Sequence, residues 1–475
     1  MSSPAYDAVV VGAGPNGLAG ALRLAEAGAS VLVLEGAKTI GGGTRTVELT
    51  LPGFMHDVCS AVHPLALASP FFRRLGLDQE GLRWIHPPVP LAHPLDDGSV
   101  VLLERSPETT ASGLGPDKQA YLDWVGPPLA AGIELFEDLL APLHLPQKPI
   151  AYARFGWQGF ASARQLVQRR FHTPEARALM AGLAAHSMLP LEAPLSSAFG
   201  LVLGTLAHLV GWPFAVGGSQ NIAQALARRL ELYGGRIETG QRVEALEGLP
   251  PAEVYLLNVT PRQALKLVGK RFNPRYQDQL NRYRYGPGIF KIDYALEGPI
   301  PWRAGACHQA GTVHLGGTFD EIAGAERAVW QGEHPDQPFV LLAQPTLFDG
   351  TRAPAGKHIA WAYTHVPSGS TVDRTAAVEA QIERFAPGFR DRILARHTMT
   401  AQALEAYNPN YIGGDINAGA LDWRQFFARQ VLRRTPYATS DPMIYLCSSS
   451  TPPGGGVHGM SGFHAAEAAL RRFAF

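Results

Sequence analysis

One stretch near the start of the chain constrains its fold more than any other. Residues 8–11, "AVVV", form a β-branched apolar run suited to a parallel strand buried on both faces. Gly12-Ala-Gly14-Pro15-Asn16-Gly17 follows at once, then "LAGALRLAEAG" with helical periodicity stopping at Gly28, then "SVLVLE", a second strand ending in Glu35. Each part has a physical task. Gly12 permits the tight turn, Gly14 lets the backbone approach a pyrophosphate, and Gly17 lets helix and strand pack closely. Pro15 and Asn16 open the helix whose free N–H groups favour an anion. Glu35 is spaced to accept hydrogen bonds from a ribose. Strand, GxGxxG, helix and acid in this order predict dinucleotide binding, without separating FAD from NAD.

At 475 residues the chain exceeds the size at which one core keeps growing, so two domains are expected. Its 41 basic and 41 acidic residues give no electrostatic reason to expect nucleic acid as a partner. Cys59, Cys307 and Cys447 lie far apart, with no CxxC pair for a dithiol centre or a zinc knuckle. No cluster has metal-ligand spacing. The start "MSSPAYDAVV" lacks a signal peptide's basic region, and with the sparse cysteines this points to a reducing, cytoplasmic location. The segment 195–214, "LSSAFGLVLGTLAHLVGWPF", is nearly long enough to span a bilayer, but its serines, histidine, tryptophan and proline favour a buried helix. A lipid-touching face, and so a peripheral membrane contact, is the alternative.

After Glu35 comes "GAKTIGGGTRT", with Gly41-Gly42 six residues beyond the acid. This pattern resembles the FAD-binding N-terminus of the amine-oxidase and phytoene-desaturase superfamily, in which a second glycine pair approaches the FAD phosphates. That family's GGRxxT is altered here: Gly43 stands at the arginine position, followed by Thr44, Arg45 and Thr46. The resemblance implies that Gly41–Arg45 hold phosphate. "VGGSQNIAQALARRLELYGGRIETGQRVEAL" resembles the family's second recurring piece and implies that Val243, in a short strand, meets the adenine. "MIYLCSSSTPPGGGVHGMSGFHAAEAALRRF" resembles its C-terminal flavin segment, with Gly455, Gly456 and Val457 against the isoalloxazine. Phrases such as "GGTRTVELTLPGFMHDVCSAVHPLALASPFF" look most like bacterial phytoene-dehydrogenase-like proteins, the group that includes relatives of pyridine nucleotide-disulfide oxidoreductase domain-containing protein 2.

The expected fold is therefore α/β: a Rossmann-type FAD-binding domain of glutathione-reductase-like topology, from residues 1–70, 211–285 and 400–475. An α+β substrate domain is inserted at 71–210, read as helical, and 286–399, with strand runs "GIFKIDYAL", "GTVHLGG", "PFVLLAQPT" and "HIAWAYTHV" and helices on one side. No second strand–GxGxxG–helix occurs, so a separate NAD(P)H domain is not expected.

The resemblance implies noncovalent FAD and hydride transfer to flavin N5 from an apolar, isoprenoid- or polyene-like substrate, with oxygen or a quinone as electron acceptor. Amine oxidation is one alternative; a flavin-free prenyl- or lipid-binding protein of the Rab GDP-dissociation inhibitor fold is another. For proton management, Lys291 resembles the amine-oxidase lysine that holds a water at N5, against the plainer alternative of a Lys291–Asp293 pair on a solvated face. His458 lies inside the flavin turn, and His63 and His56-Asp57 follow the phosphate segment. His314 is a weaker candidate, and Trp302, Trp361 and Tyr363 are candidates for a substrate wall.

Overall fold

The two leading strands, Tyr6–Val11 and Val31–Leu34, pair in parallel with Ala8 opposite Val31 and Val11 opposite Leu34 in the computed structural model, which describes residues 5–426, 429–431 and 433–473. Residues 1–4 of the start discussed above lie outside that range. Ala252–Leu257 joins the other edge of Tyr6–Val11, Ile444–Leu446 lies beyond it, and Arg236–Glu238 closes the far side. The result is a five-stranded parallel sheet ordered 444–446, 252–257, 6–11, 31–34, 236–238. The chain's last strand thus sits two places from its first.

Helix Pro15–Glu26 packs down on this sheet through Gly17, where an added Cβ would lie 1.9 Å from the Gly12 carbonyl oxygen. On its other side runs the terminal helix Met460–Leu470, and at Gly462 a Cβ would fall 1.7 Å from the Asn16 carbonyl oxygen. An Arg23–Glu467 ion pair of 2.5 Å closes the outer edge of that crossing. Because the Gly17 contact is with backbone, Gly17→Ala should cost about 1–3 kcal/mol. Urea unfolding checks this; an unchanged midpoint would contradict it.

The second sheet has seven strands, ordered 393–399, 288–296, 358–366, 340–343, 310–315, 89–94, 100–103. All neighbours are antiparallel except 310–315 with 89–94. The four strand runs read from 286–399 are present as Gly288–Leu296, Ala310–Leu315, Val340–Ala343 and His358–Val366. Three strands escaped the sequence. Val89–Pro94 and Val100–Leu103 come from the insert read as helical, and the prolines at 87, 88, 90 and 94 hide the first of them. Ile393–Met399 is an edge strand whose sequence, ILARHTM, has no apolar–polar alternation to mark it. The sheet is also covered on both faces, not one. Helices of residues 118–209 pack on the face bearing Trp361 and Tyr363, and Thr375–Phe385 packs on the face bearing Phe290 and Ile292.

Within 195–214 the structure has helix Ser196–Leu209, buried along most of its length, and no helix among the described residues is long and apolar enough to cross a membrane. "RIETGQRVEAL" supplies only Arg236–Glu238; residues 241–245 have no regular structure, so Val243 is not in a strand.

Candidate active site

A cavity of about 440 Å³ runs from the carboxyl ends of the parallel strands to the inner face of the second sheet. Ligands of open α/β sheets bind at that end of the strands.

At the first end the glycine turn is shaped for an anion. Gly12 has φ +97°, and a Cβ on Gly42 would come 3.1 Å from the Gly14 Cα, so the two glycine segments nearly touch. Gly14 is the N-cap of helix Pro15–Glu26, which has no side-chain cap and no acid in its first turn. Its orphan N–H groups and positive dipole end are left for a ligand. Asn16 donates from Nδ2 to Ser449 Oγ at 3.2 Å, tying this turn to the C-terminal segment, while its buried Oδ1 has no partner. Gly12, Gly14, Pro15, Asn16, Glu35, Gly42, Gly43, Thr44, Arg45 and Val243 all line the cavity. Gly17 and Gly41 do not: Gly17 sets the helix–strand packing, and Gly41 (φ +116°) precedes the turn Gly42–Thr44 and accepts the Thr44 hydroxyl at 2.8 Å.

Glu35 is held by the backbone: Ala13 N–H donates to Oε2 (2.8 Å) and Ala37 N–H to Oε1 (2.9 Å). Oε2 keeps a lone pair for a further donor, whereas Oε1 also accepts from Arg45. Arg45 is more committed than a phosphate ligand should be. Nη2 pairs with Glu35 Oε1 at 3.1 Å, Nε and Nη2 donate to the Thr39 carbonyl, and Tyr407 lies 5.6 Å from the guanidinium.

Gly456 and Val457 line the middle of the cavity beside Leu65, His63 and Ser449. Residues 12–16 and 456–457 therefore share one groove. The far end is walled by Leu203, Trp212, Leu341, Trp361 and Tyr363, with His186 and Thr312 among them.

Comparisons with known proteins follow the same lines. Residues 10–75 match the NAD(P)-binding Rossmann-like domain family. Pyridine nucleotide-disulfide oxidoreductase domain-containing protein 2 of Rattus norvegicus is 25% identical over 551 residues, spanning 98% of this chain and 94% of that protein. The neurosporene-forming phytoene desaturase of Rhodobacter capsulatus is 24% identical over 293 residues, 55% of this chain and 54% of that one. In fold, cyclohexylamine oxidase from Brevibacterium oxydans superposes with a TM-score of 0.59 at 17% identity, over 98% and 99% of the two chains. The chain is thus similar over nearly its whole length to a protein named as an oxidoreductase, and it shares its fold with an amine oxidase.

Four of the expected chemical residues, Lys291, His56, Asp57 and His458, stand back from the cavity. Lys291 does not line it. Its Nζ is wholly buried in an ion pair with Asp293 and lies 5.7 Å from the Trp361 ring centre, behind a side chain that does line the wall. The plainer Lys291–Asp293 pairing is therefore the observed one, but buried rather than solvated. His56 shares this pocket, its Nδ1 3.7 Å from Asp293 Oδ1, and burial first, then the Lys291 and Arg352 charges, pulls it down to about 3. Asp57 is held by Arg352 (2.9 Å), by the Thr46 hydroxyl (2.7 Å) and by Ser219 N–H (2.8 Å). Neither His56 nor Asp57 lines the cavity.

His458 is also off the wall. Its Nδ1 accepts from Met460 N–H (3.0 Å) and its Nε2 donates to the Gly454 carbonyl (3.2 Å), so it staples the turn that Gly456 and Val457 present. Gly455 packs against Asn417 instead of the cavity. Trp302 is core, donating to Gln344 at 3.0 Å. Cys447 is buried beside Leu257, away from the wall. No group of His, Cys, Asp and Glu among the described residues could hold a metal.

His63 does line the cavity. Its Nε2 meets Ser219 Oγ at 2.8 Å, and Ser219 Oγ itself donates to the Ser60 carbonyl at 2.7 Å. The hydroxyl proton is spent, so His63 carries its hydrogen on Nε2 and a lone pair on Nδ1. His186, absent from the sequence candidates because nothing in "LAAHSML" marks it off from a core helix, contacts His314 Nε2 to Nε2 at 2.9 Å. His314 Nδ1 is buried without a partner. A buried orphan N–H is rarer than a buried orphan lone pair, so His314 donates and His186 presents Nδ1–H at the cavity wall. His314 acts here only through His186.

Proposed function

We propose that the chain binds FAD noncovalently and oxidises an apolar, isoprenoid- or polyene-like molecule. The observation that carries this reading is one continuous cavity, whose first end offers an uncapped helix N-terminus between paired glycines and whose far end is aromatic and aliphatic. The cradle fits the cofactor because a Cβ at Gly42 would fill it and because Asn16 Oδ1 awaits a donor. Gly12, Gly14, Gly42 and the helix head would hold the diphosphate, Glu35 the ribose, Val243 the adenine end, and Gly456 and Val457 the redox ring. Bound FAD would supply the hydride acceptor.

The protein's own contribution is binding, orientation and exclusion of water. Trp212, Trp361 and Tyr363 wall the apolar substrate, and His186 Nδ1–H offers it one donor. Glu35 is the only acid on the cavity wall among the described residues, and it lies at the nucleotide end. No carboxylate greets an ammonium group at the substrate end, which favours an apolar substrate over an amine. Oxygen or a quinone would then reoxidise the cofactor.

The test is anaerobic mixing of the FAD-loaded protein with polyenes and isoprenoids in parallel with primary amines, following loss of visible flavin absorbance. Bleaching by the apolar set alone is expected. Bleaching by amines alone would overturn the substrate assignment.

A further inference from the structure

Between Leu139 and Pro174 the chain carries Lys148, Arg154, Arg164, Arg169 and Arg170 and no aspartate or glutamate, although cations and anions balance over the whole chain. Arg164 pairs with Glu192 and Asp320, and Lys148 with Glu134. Arg154, Arg169 and Arg170 have no ion-pair partner among the described residues.

The same stretch collects exposed apolar side chains. Five of the twelve large exposed hydrophobics of the described residues fall between 143 and 160, with Leu145 93%, Trp157 86% and Ile150 70% exposed. Scattered singly such residues would mean little, but clustered they mark a contact surface.

Helix Pro149–Phe160 explains the cluster. Its inner face, Phe155 and Gly159, is buried, and Gly159 rests on Ala198 of helix Ser196–Leu209. Its outer face, Ile150, Ala153, Arg154 and Trp157, forms a shallow groove with Arg170. A helix apolar on both faces must bury the second one against something.

We propose that this face docks on an anionic lipid bilayer, with Ile150 and Trp157 at the boundary of headgroups and acyl chains and Arg154, Arg169 and Arg170 over the headgroups. Apolar area, an interfacial tryptophan and unpaired cations are what such a surface attracts. A second copy of the chain is disfavoured because a two-fold contact would set one copy's unpaired arginines against the other's. The lipid contact therefore lies on helix Pro149–Phe160, and the 195–214 helix lies beneath it. That buried helix contributes Leu203 to the cavity wall, so one helix separates the bilayer face from the substrate end. Docking stands independently of the FAD assignment; only delivery of an apolar substrate from the bilayer rests on it.

The experiment is co-sedimentation of the full chain with phosphatidylcholine vesicles, with and without phosphatidylglycerol. Binding that requires phosphatidylglycerol and weakens with salt is expected. Neutralising any one of the three arginines should weaken it about five-fold at low salt. The double variant I150A/W157A, both positions exposed and so harmless to folding, should weaken it on the order of ten-fold or more with bound flavin unchanged. Three outcomes would overturn the proposal: no binding to phosphatidylglycerol vesicles, binding indifferent to I150A/W157A, or a concentration-dependent dimer that I150A/W157A abolishes. A protein that lacks flavin but still binds vesicles would separate this inference from the functional one.

Discussion

Taken from pH 7 to pH 4, this protein unfolds. His63, His93 and His458 are pulled down to about 4 and His56 to about 3, burial being the largest cause in each case. All four are buried in the fold. Their folded values lie below the roughly 6.5 of an unfolded chain. Their stabilising effect is therefore fully present above that value. As the pH falls below it the unfolded chain takes up protons that the folded chain refuses, and stability drops by about 1.4 kcal/mol per pH unit for each histidine. Over two units the four amount to on the order of 10 kcal/mol, comparable with the whole stability of an ordinary domain. Asp293 opposes them. Burial pushes it up to about 6 against the pull of Lys291, and raises Asp415 and Glu104 as well, so protonating these carboxyls favours the fold as the pH falls. Against them stand the four histidines and also His186, His208 and His464, which burial pulls down in the same way. Circular dichroism against pH should show a cooperative loss centred at about pH 5. A protein still native at pH 4 would show that these imidazoles reach water or a proton acceptor.

Arg352→Met should be the most damaging single change outside the glycine turns, costing about 3–5 kcal/mol. The guanidinium is 1% exposed, donates twice to the Met55 carbonyl (3.1 and 2.9 Å) and meets Asp57 Oδ2 at 2.9 Å. Burial works against the Asp57 charge, but Arg352, Thr46 and Ser219 together hold its carboxyl below the usual range. Removing the arginine strands that charge in the interior. Asp57 in turn fixes Thr46, just beyond the phosphate turn, and Ser219, at the head of helix Gln220–Leu232. Arg352, which follows strand Val340–Ala343 of the seven-stranded sheet, thereby steadies the segments beside the glycine turns. The double variant R352M/D57N should recover much of the loss, because no unpaired carboxylate remains. Urea unfolding gives both numbers, and a single-variant loss under about 1 kcal/mol would contradict the account.

The nucleotide-binding half was legible because its demands are local. Gly12, Gly14, Gly17 and Glu35 answer to one strand, one turn and one helix, and the structure has those elements in that order. The C-terminal turn was legible for the same reason, being a strand, a glycine run and a helix in succession. Lys291 and His458 were misplaced because the cavity wall is decided by tertiary neighbours: Trp361 comes from the adjacent strand and screens Lys291, and Met460 claims the His458 ring. His186 was invisible because its partner, His314, stands far away in sequence on a different element. Residues 89–94 were lost because prolines speak against a strand, and the pairing with Ala310–Leu315 on one side and Val100–Leu103 on the other overrules them.

The central claim is that both ends of the chain close on one FAD. Extracting the nucleotide from purified full-length protein and identifying it by its visible spectrum and mass tests this directly, with Gly42→Val beside the wild type. One FAD per chain, lost in the variant whose side chain fills the Gly14–Gly42 cradle, is expected. Protein that stays colourless after incubation with FAD, or that retains FAD with valine at position 42, would contradict the account.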